Sequence, residues 1–100
     1  SLADLSLDPQ RQRAQRGGAT LDLTHKEFAI LHMLLRHAGE VVSRARLAEQ
    51  VWKDDLIGID NLIDVHVGNL RRKVDAAPAP PLIRTVRGRG FRLAADDGHA

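Results

Sequence analysis

One hundred residues, 43% hydrophobic and 28% charged, describe one small folded domain with a modest core rather than a disordered chain. The absence of cysteine excludes a disulfide framework and a thiolate metal site and fits a reducing cytoplasm, while no apolar run approaches the roughly 18 residues of a membrane span and no signal-peptide pattern opens the chain. The net charge is only +2, but over 71–92 seven bases face one acid, Asp75, and over 53–64 four acids face one base, a division that points to two partners on two surfaces unless both are merely solvated faces.

The opening "SLADLSLD" lacks an initiator Met and reads as the interior of a longer protein. Leu5 and Leu7 alternate with polar neighbours, and Asp8-Pro9 then turns the chain. "RQRAQR" is a polar strand, closed by the turn signal Gly17-Gly18, and "ATLDL" alternates Leu21 and Leu23. Together these predict a small antiparallel sheet. Thr24 with Glu27 three residues on is a capping box, in which hydroxyl and carboxylate each take a backbone N–H of the other residue. Phe28, Leu31, Leu35 and Ala38 follow at helical spacing, and Gly39 ends the first helix. Ser43 reads as the N-cap of a short second helix, with Leu47 and Val51 inward and Trp52 near its end.

A connector, "KDDLIGID", leads to a third helix expected from about Asn61 to Ala76. At about 100° per residue, Ile63, Val67, Leu70 and Val74 share one narrow stripe, which is the core face. The opposite face carries Asn61, Val65, Gly68, Asn69 and Arg72, flanked by Asp64 and Arg71 on one side and His66 and Lys73 on the other. "AAPAPP" stops the helix because proline cannot continue it. "LIRTV" and "FRLA" then form two strands joined through "RGRG", with glycines where a tight turn needs positive φ. Sheet, three helices and hairpin is the order of a winged helix, an α+β fold whose wing would project arginines toward something anionic.

The outer face of the third helix suits the major groove. An asparagine can bond adenine bidentately, a valine methyl can meet the thymine methyl, and Gly68 would let the backbone approach closely. A helical glycine costs about 1 kcal/mol relative to alanine, and tight packing against another element is the competing reason for it. Arg71, Arg72 and Lys73 splay around the helix as phosphate-clamping residues do, although they would also complement the helix dipole. On the phosphate reading, replacing Lys73 would weaken all DNA sequences alike and lower the salt slope by about one. Arg87 and Arg89 flank Gly88 in a compact loop that fits a narrow minor groove, where negative potential concentrates; a merely soluble turn is the alternative. Trp52 serves either the core or, through its indole N–H, a phosphate. His25, His32, His37, His66 and His99 are scattered, neither Ser6 nor Ser43 lies in a nucleophile motif, and no helix follows "GRG". No catalytic or metal-binding constellation is therefore expected, and no cofactor.

The stretches "LSLDP", "LDLTHKEFAILHMLLRHAGEVVSRARLAEQVW", "NLIDVHVGNLRRKVD" and "LIRTVRGRGFRL" resemble the C-terminal effector domain of OmpR/PhoB-type response regulators, the transcription factors of bacterial two-component systems. That resemblance covers most of the chain in order. It implies a four-stranded N-terminal sheet, a three-helix bundle and a C-terminal hairpin, with the third helix in the major groove and Arg87 in the minor groove of duplex DNA. It implies phosphate contacts for Arg44 and Trp52, and contact between RNA polymerase and the 53–60 connector, which begins Lys53, Asp54, Asp55, Leu56. A receiver domain absent from residues 1–100 would take the signal from a sensor kinase and drive dimerisation on direct repeats, leaving the isolated domain a monomer. Many members carry two arginines where this chain has Gly68-Asn69, so a different base preference is expected, and the first strand looks truncated. A winged helix used as a protein-interaction module, led by the acidic connector, is the second reading; a histidine-based metal sensor is the third.

Overall fold

The computed structural model describes residues 4–51, 59–76 and 81–94, with backbone alone over 59–62. Strands β1 (Leu5–Asp8), β2 (Arg13–Arg16) and β3 (Ala19–Leu21) form an antiparallel sheet in that order. Helices α1 (His25–Arg36), α2 (Arg44–Val51) and α3 (Ile59–Val74) follow, and β4 (Ile83–Val86) pairs antiparallel with β5 (Gly90–Leu93) to close the fold. This is the order expected of a winged helix. Among the described residues the first sheet has three strands, not the four that the resemblance implied.

The polar middle strand exists because its inward positions are filled. Ala14 and Arg16 point in and are buried, while Arg13 and Gln15 are exposed. Arg16 pairs with Ala19 across a two-residue turn in which Gly17 and Gly18 both have positive φ, 60° and 84°, the conformation that matches the twist of a tight hairpin. Leu5 on β1 is fully buried and Leu7 partly so.

The capping box of α1 is complete: Glu27 N–H donates to Thr24 Oγ1 at 3.2 Å, and Thr24 N–H donates to Glu27 Oε1 at 3.0 Å. The buried face is wider than the expected stripe. Phe28 and Leu31 are buried as predicted, but so are Ile30, Met33 and Leu34, while Leu35 is half-buried and Ala38 lies exposed beyond the helix. The reason is that α1 packs against α2, α3 and β5 together, so more than one side of it faces apolar neighbours. Gly39 takes φ 85°, and its N–H donates to Leu93 O at 2.8 Å, fastening the end of α1 to β5. Ser43 caps α2 as expected, accepting from Arg46 N–H at 3.1 Å, and Lys26 Nζ donates to Val51 O at 2.9 Å at the other end.

Helix α3 runs two residues earlier than expected at each end. Its last helical bond is Asp75 N–H to Arg71 O at 2.8 Å, and the Asp75 carboxylate accepts from Leu82 N–H at 2.8 Å and Ile83 N–H at 3.1 Å. The proline segment expected to end it lies largely outside the described residues. In the hairpin, Arg87, Gly88 and Arg89 form a three-residue loop closed by Arg89 N–H donating to Val86 O at 2.9 Å. The two glycines of "RGRG" answer different needs. Gly88, at φ 73°, makes the turn. Gly90, at φ 144°, lies where a Cβ would sit 2.1 Å from Val42 O. That approach is a bridge: Val42 N–H donates to Phe91 O at 2.8 Å and Phe91 N–H to Val42 O at 3.0 Å, so the segment between α1 and α2 is a third partner of the wing sheet.

Candidate nucleic-acid interface

The stripe assigned to the core of α3 is there: Ile63, Val67, Leu70 and Val74 are each at most 2% exposed. Rotation by half a turn then fixes what faces out. Val65 is 56% exposed, the one large hydrophobic side chain so placed among the described residues. Arg72 is exposed beside it, with Asn69 and Gly68 half-buried. A Cβ on Gly68 would meet nothing within 4 Å, so tight packing among the described residues is not the reason for this glycine. Arg72 Nη1 donates to Asn69 Oδ1, joining two side chains one helical turn apart.

The flanks of α3 are engaged in holding it. Arg71 Nη2 donates to Thr85 Oγ1 on β4 at 2.7 Å, tying the helix to the base of the wing. On the same side Asp64 accepts from Arg44 Nε at 3.0 Å, and the Arg44 guanidinium lies 4.9 Å from the centre of the Phe91 ring. On the other side Lys73 Nζ meets Glu27 Oε1 at 2.7 Å. Burial pushes the Glu27 carboxyl up, but bonds from Lys73 and the Thr24 N–H, with the charges of Lys73 and His66, outweigh that and hold it below its ordinary value. Arg44, Arg71 and Lys73, each expected at a phosphate, thus carry an internal partner here. Lys73 reaches an oxygen on α1 and Arg71 one on the wing, while Arg44 of α2 reaches Asp64 on α3.

Arg87 and Arg89 are exposed at the wing tip, and no ion pair engages either among the described residues. Glycine at the turn keeps the loop short, so both guanidinium groups project from a narrow ridge. Trp52 and the acidic connector with Lys53, Asp54, Asp55 and Leu56 lie outside the described residues, as does the side chain of Asn61. No helix of the described residues is long and apolar enough to cross a membrane.

The sequence reading missed the fastening beneath the interface. Arg16, its side chain 5% exposed, donates from Nε to Asp4 Oδ1 at 2.8 Å and from Nη1 to Val74 O and to Asp75 Oδ1, the last at 3.3 Å. The hydrogen bond and charge of Arg16 also hold the Asp4 carboxyl below its ordinary value. Two signals pointed there: Arg16 shares inward strand parity with Ala14, and Asp75 is the lone acid in a basic block.

A helix offering small, amide, methyl and guanidinium groups on one face, braced against a hairpin with arginines at its tip, defines a winged-helix domain of the nucleic-acid-binding kind. Residues 18–93 match the family described as transcriptional regulatory protein, C terminal, and the chain belongs to that family, the OmpR/PhoB-type effector domains. It is 46% identical over 92 residues to the transcriptional activator protein IrlR of Burkholderia pseudomallei, which covers 92% of this chain and 40% of the relative. It is 44% identical over 97 residues to the transcriptional regulatory protein CusR of Escherichia coli, covering 97% of this chain and 43% of that protein. The chain thus spans about two-fifths of the length of these curated relatives. Among solved structures, the DNA-binding domain of CpxR from E. coli superposes with a TM-score of 0.82 at 42% identity, over 96% of each chain. The Klebsiella pneumoniae RstA DNA-binding domain in complex with the RstA box gives 0.82 at 30% identity, again over 96% of each.

Proposed function

We propose that this chain is the sequence-specific duplex-DNA-binding output domain of a bacterial response regulator, working in the cytoplasm to regulate transcription. The observation that carries this is Val65. Its side chain, more than half exposed on an otherwise polar helix face, offers methyl groups that can meet thymine methyl groups. Helix α3 enters the major groove with Val65, Gly68, Asn69 and Arg72 at base edges, and Asn61 extends that face toward the N-terminus. The wing places Arg87 in the minor groove, and Arg89 meets the adjacent backbone. Arg44, Arg71 and Lys73 chiefly hold α3 at the angle this docking needs, and Trp52 adds a phosphate contact. The relatives support the reading, since one solved neighbour is described in complex with its DNA box.

The larger protein adds the rest: a receiver domain addressed by a sensor kinase, dimerisation on direct repeats, and RNA polymerase contact through Lys53, Asp54, Asp55 and Leu56. The test is selection of this domain on a random duplex pool at about 0.15 M salt. A recurrent half-site, repeated head to tail at about one helical turn, is the expected outcome. Salt-sensitive binding without any enriched sequence would instead reduce the wing and α3 to phosphate contacts.

A further inference from the structure

Between helices α1 and α2 lies a surface groove of about 340 Å3, and among the described residues neither α3 nor the wing contributes to its lining. Ala29, Met33 and Arg36 line it from α1, at spacings of four and three that fall on one side of a helix. Arg46, Glu49 and Val51 line it from α2. The floor is apolar, since Met33 is buried and Ala29 and Val51 are half-buried. Arg36 and Arg46 stand exposed above it, one on each helix.

Charge decides what fits this groove. No ion pair engages Arg36 or Arg46 among the described residues, although Glu49 lines the same space. Two guanidinium groups therefore border an apolar floor with one carboxylate between them. A guanidinium holds a carboxylate through two parallel N–H bonds, and a methionine adapts its shape to whatever apolar side chain is laid on it. Duplex DNA is the poorer occupant, because its phosphate backbone brings no apolar side chain for Met33 and is repelled by Glu49. The connector that begins Lys53, Asp54, Asp55 has the opposite balance of charge, so the groove suits a different partner from the one the connector suits. We propose that the α1–α2 groove is a docking site for an acidic peptide segment of a protein partner, with carboxylates on Arg36 and Arg46 and a leucine-like side chain against Met33. Such docking asks nothing of the DNA-reading face, and its test uses no DNA.

The probe is a peptide of sequence EELLEE, blocked at both ends and titrated to about 5 mM into the natural chain while backbone amide signals are followed by NMR. Signals over 29–37 and 46–51 should shift together along one binding curve. Arg36→Gln combined with Arg46→Gln should weaken the peptide about 2-fold to 30-fold, the range for losing two exposed ion pairs. Both positions are exposed and glutamine is nearly as good a helix former as arginine, so the double variant keeps its fold. Glu49→Gln should tighten binding by removing the like charge, and the uncharged peptide QQLLQQ should leave the signals in place. Shifts centred on Arg87 and Arg89 would mean that the peptide only takes the cations of the wing, and would overturn the proposal. An unchanged affinity in the double variant, an equal response to QQLLQQ, or no shift by the highest concentration would overturn it as well.

Discussion

Lys73 follows Arg72 directly, yet adjacent residues on a helix point about 100° apart, and the two have different tasks. Arg72 is exposed, whereas Lys73 reaches Glu27, whose side chain is 3% exposed. Lys73→Ala should cost about 1–3 kcal/mol, the range for leaving a buried charged acceptor short of its partner, and a thermal melt reads it. The salt dependence of DNA binding should stay where it is, in contrast to a phosphate contact, whose loss lowers the slope by about one. A pH signature separates this from lost packing. The Glu27 carboxyl lies below its ordinary value of 4.5 in the folded chain, so the unfolded chain binds more protons between the two values and stability rises with pH across that interval. The contribution is present above about pH 4.5 and is lost as the pH falls through the folded value. Lys73→Ala should flatten that acid limb; an unchanged limb would place the stabilisation elsewhere. At the wing tip Arg87 has no ion pair among the described residues, so Arg87→Ala should leave the melt unchanged and weaken binding to a selected site by about 1–3 kcal/mol. Undiminished affinity would remove the minor-groove assignment.

Elements were legible where their signals are local. The Thr24–Glu27 box, the Gly17-Gly18 turn and the Ser43 cap are each settled within four residues of chain, and all three stand in the structure. The wide buried face of α1 was not legible, because which sides of a helix are covered depends on elements that arrive later in the chain. Two glycines with the same appearance in sequence show the same divide. At Gly90 a Cβ would press into the backbone of Val42 and Ser43, at 2.1 Å from the carbonyl oxygen and 2.8 Å from Cα. Gly90→Ala should therefore push the wing off the segment between α1 and α2, at a cost of at least about 2 kcal/mol from strain and overpacking. At Gly68 the space is open, and Gly68→Ala should stabilise α3 by about 0.5–1 kcal/mol while its methyl stands on the face proposed to meet DNA. Paired melts and binding isotherms of the two variants check this. A Gly90→Ala chain as stable as the natural one would mean that the bridge through Phe91 is not what seats the wing.

Across the whole molecule, what joins sheet, helices and wing is a contact between residues far apart in sequence. Arg16 and Asp75 are 59 positions apart, and neither periodicity nor capping chemistry could pair them, although inward parity and a solitary acid marked each one. Asp75 accepts at once from Arg16 on β2 and from the first N–H groups of the wing, Leu82 and Ile83, immediately after α3 ends. The proposed interface needs α3 and the wing held at a fixed relation so that two grooves can be engaged together, and this carboxylate stands at their junction. Asp75→Ala would leave the Arg16 guanidinium short of a partner while 5% exposed and strip two backbone donors of their acceptor. The expected loss is about 1–3 kcal/mol, the range for leaving buried polar groups short of an acceptor, because Asp4 and Val74 O still hold the guanidinium. Asp75→Asn, which keeps an acceptor but not the charge, should fall between. Amide exchange should quicken first along β4, because its leading N–H groups lose their partner, and affinity for a selected site should fall more than affinity for random duplex, since only the former needs both grooves in register. Equal losses on the two kinds of DNA would mean that the clasp supports folding alone and has no part in setting the wing against α3.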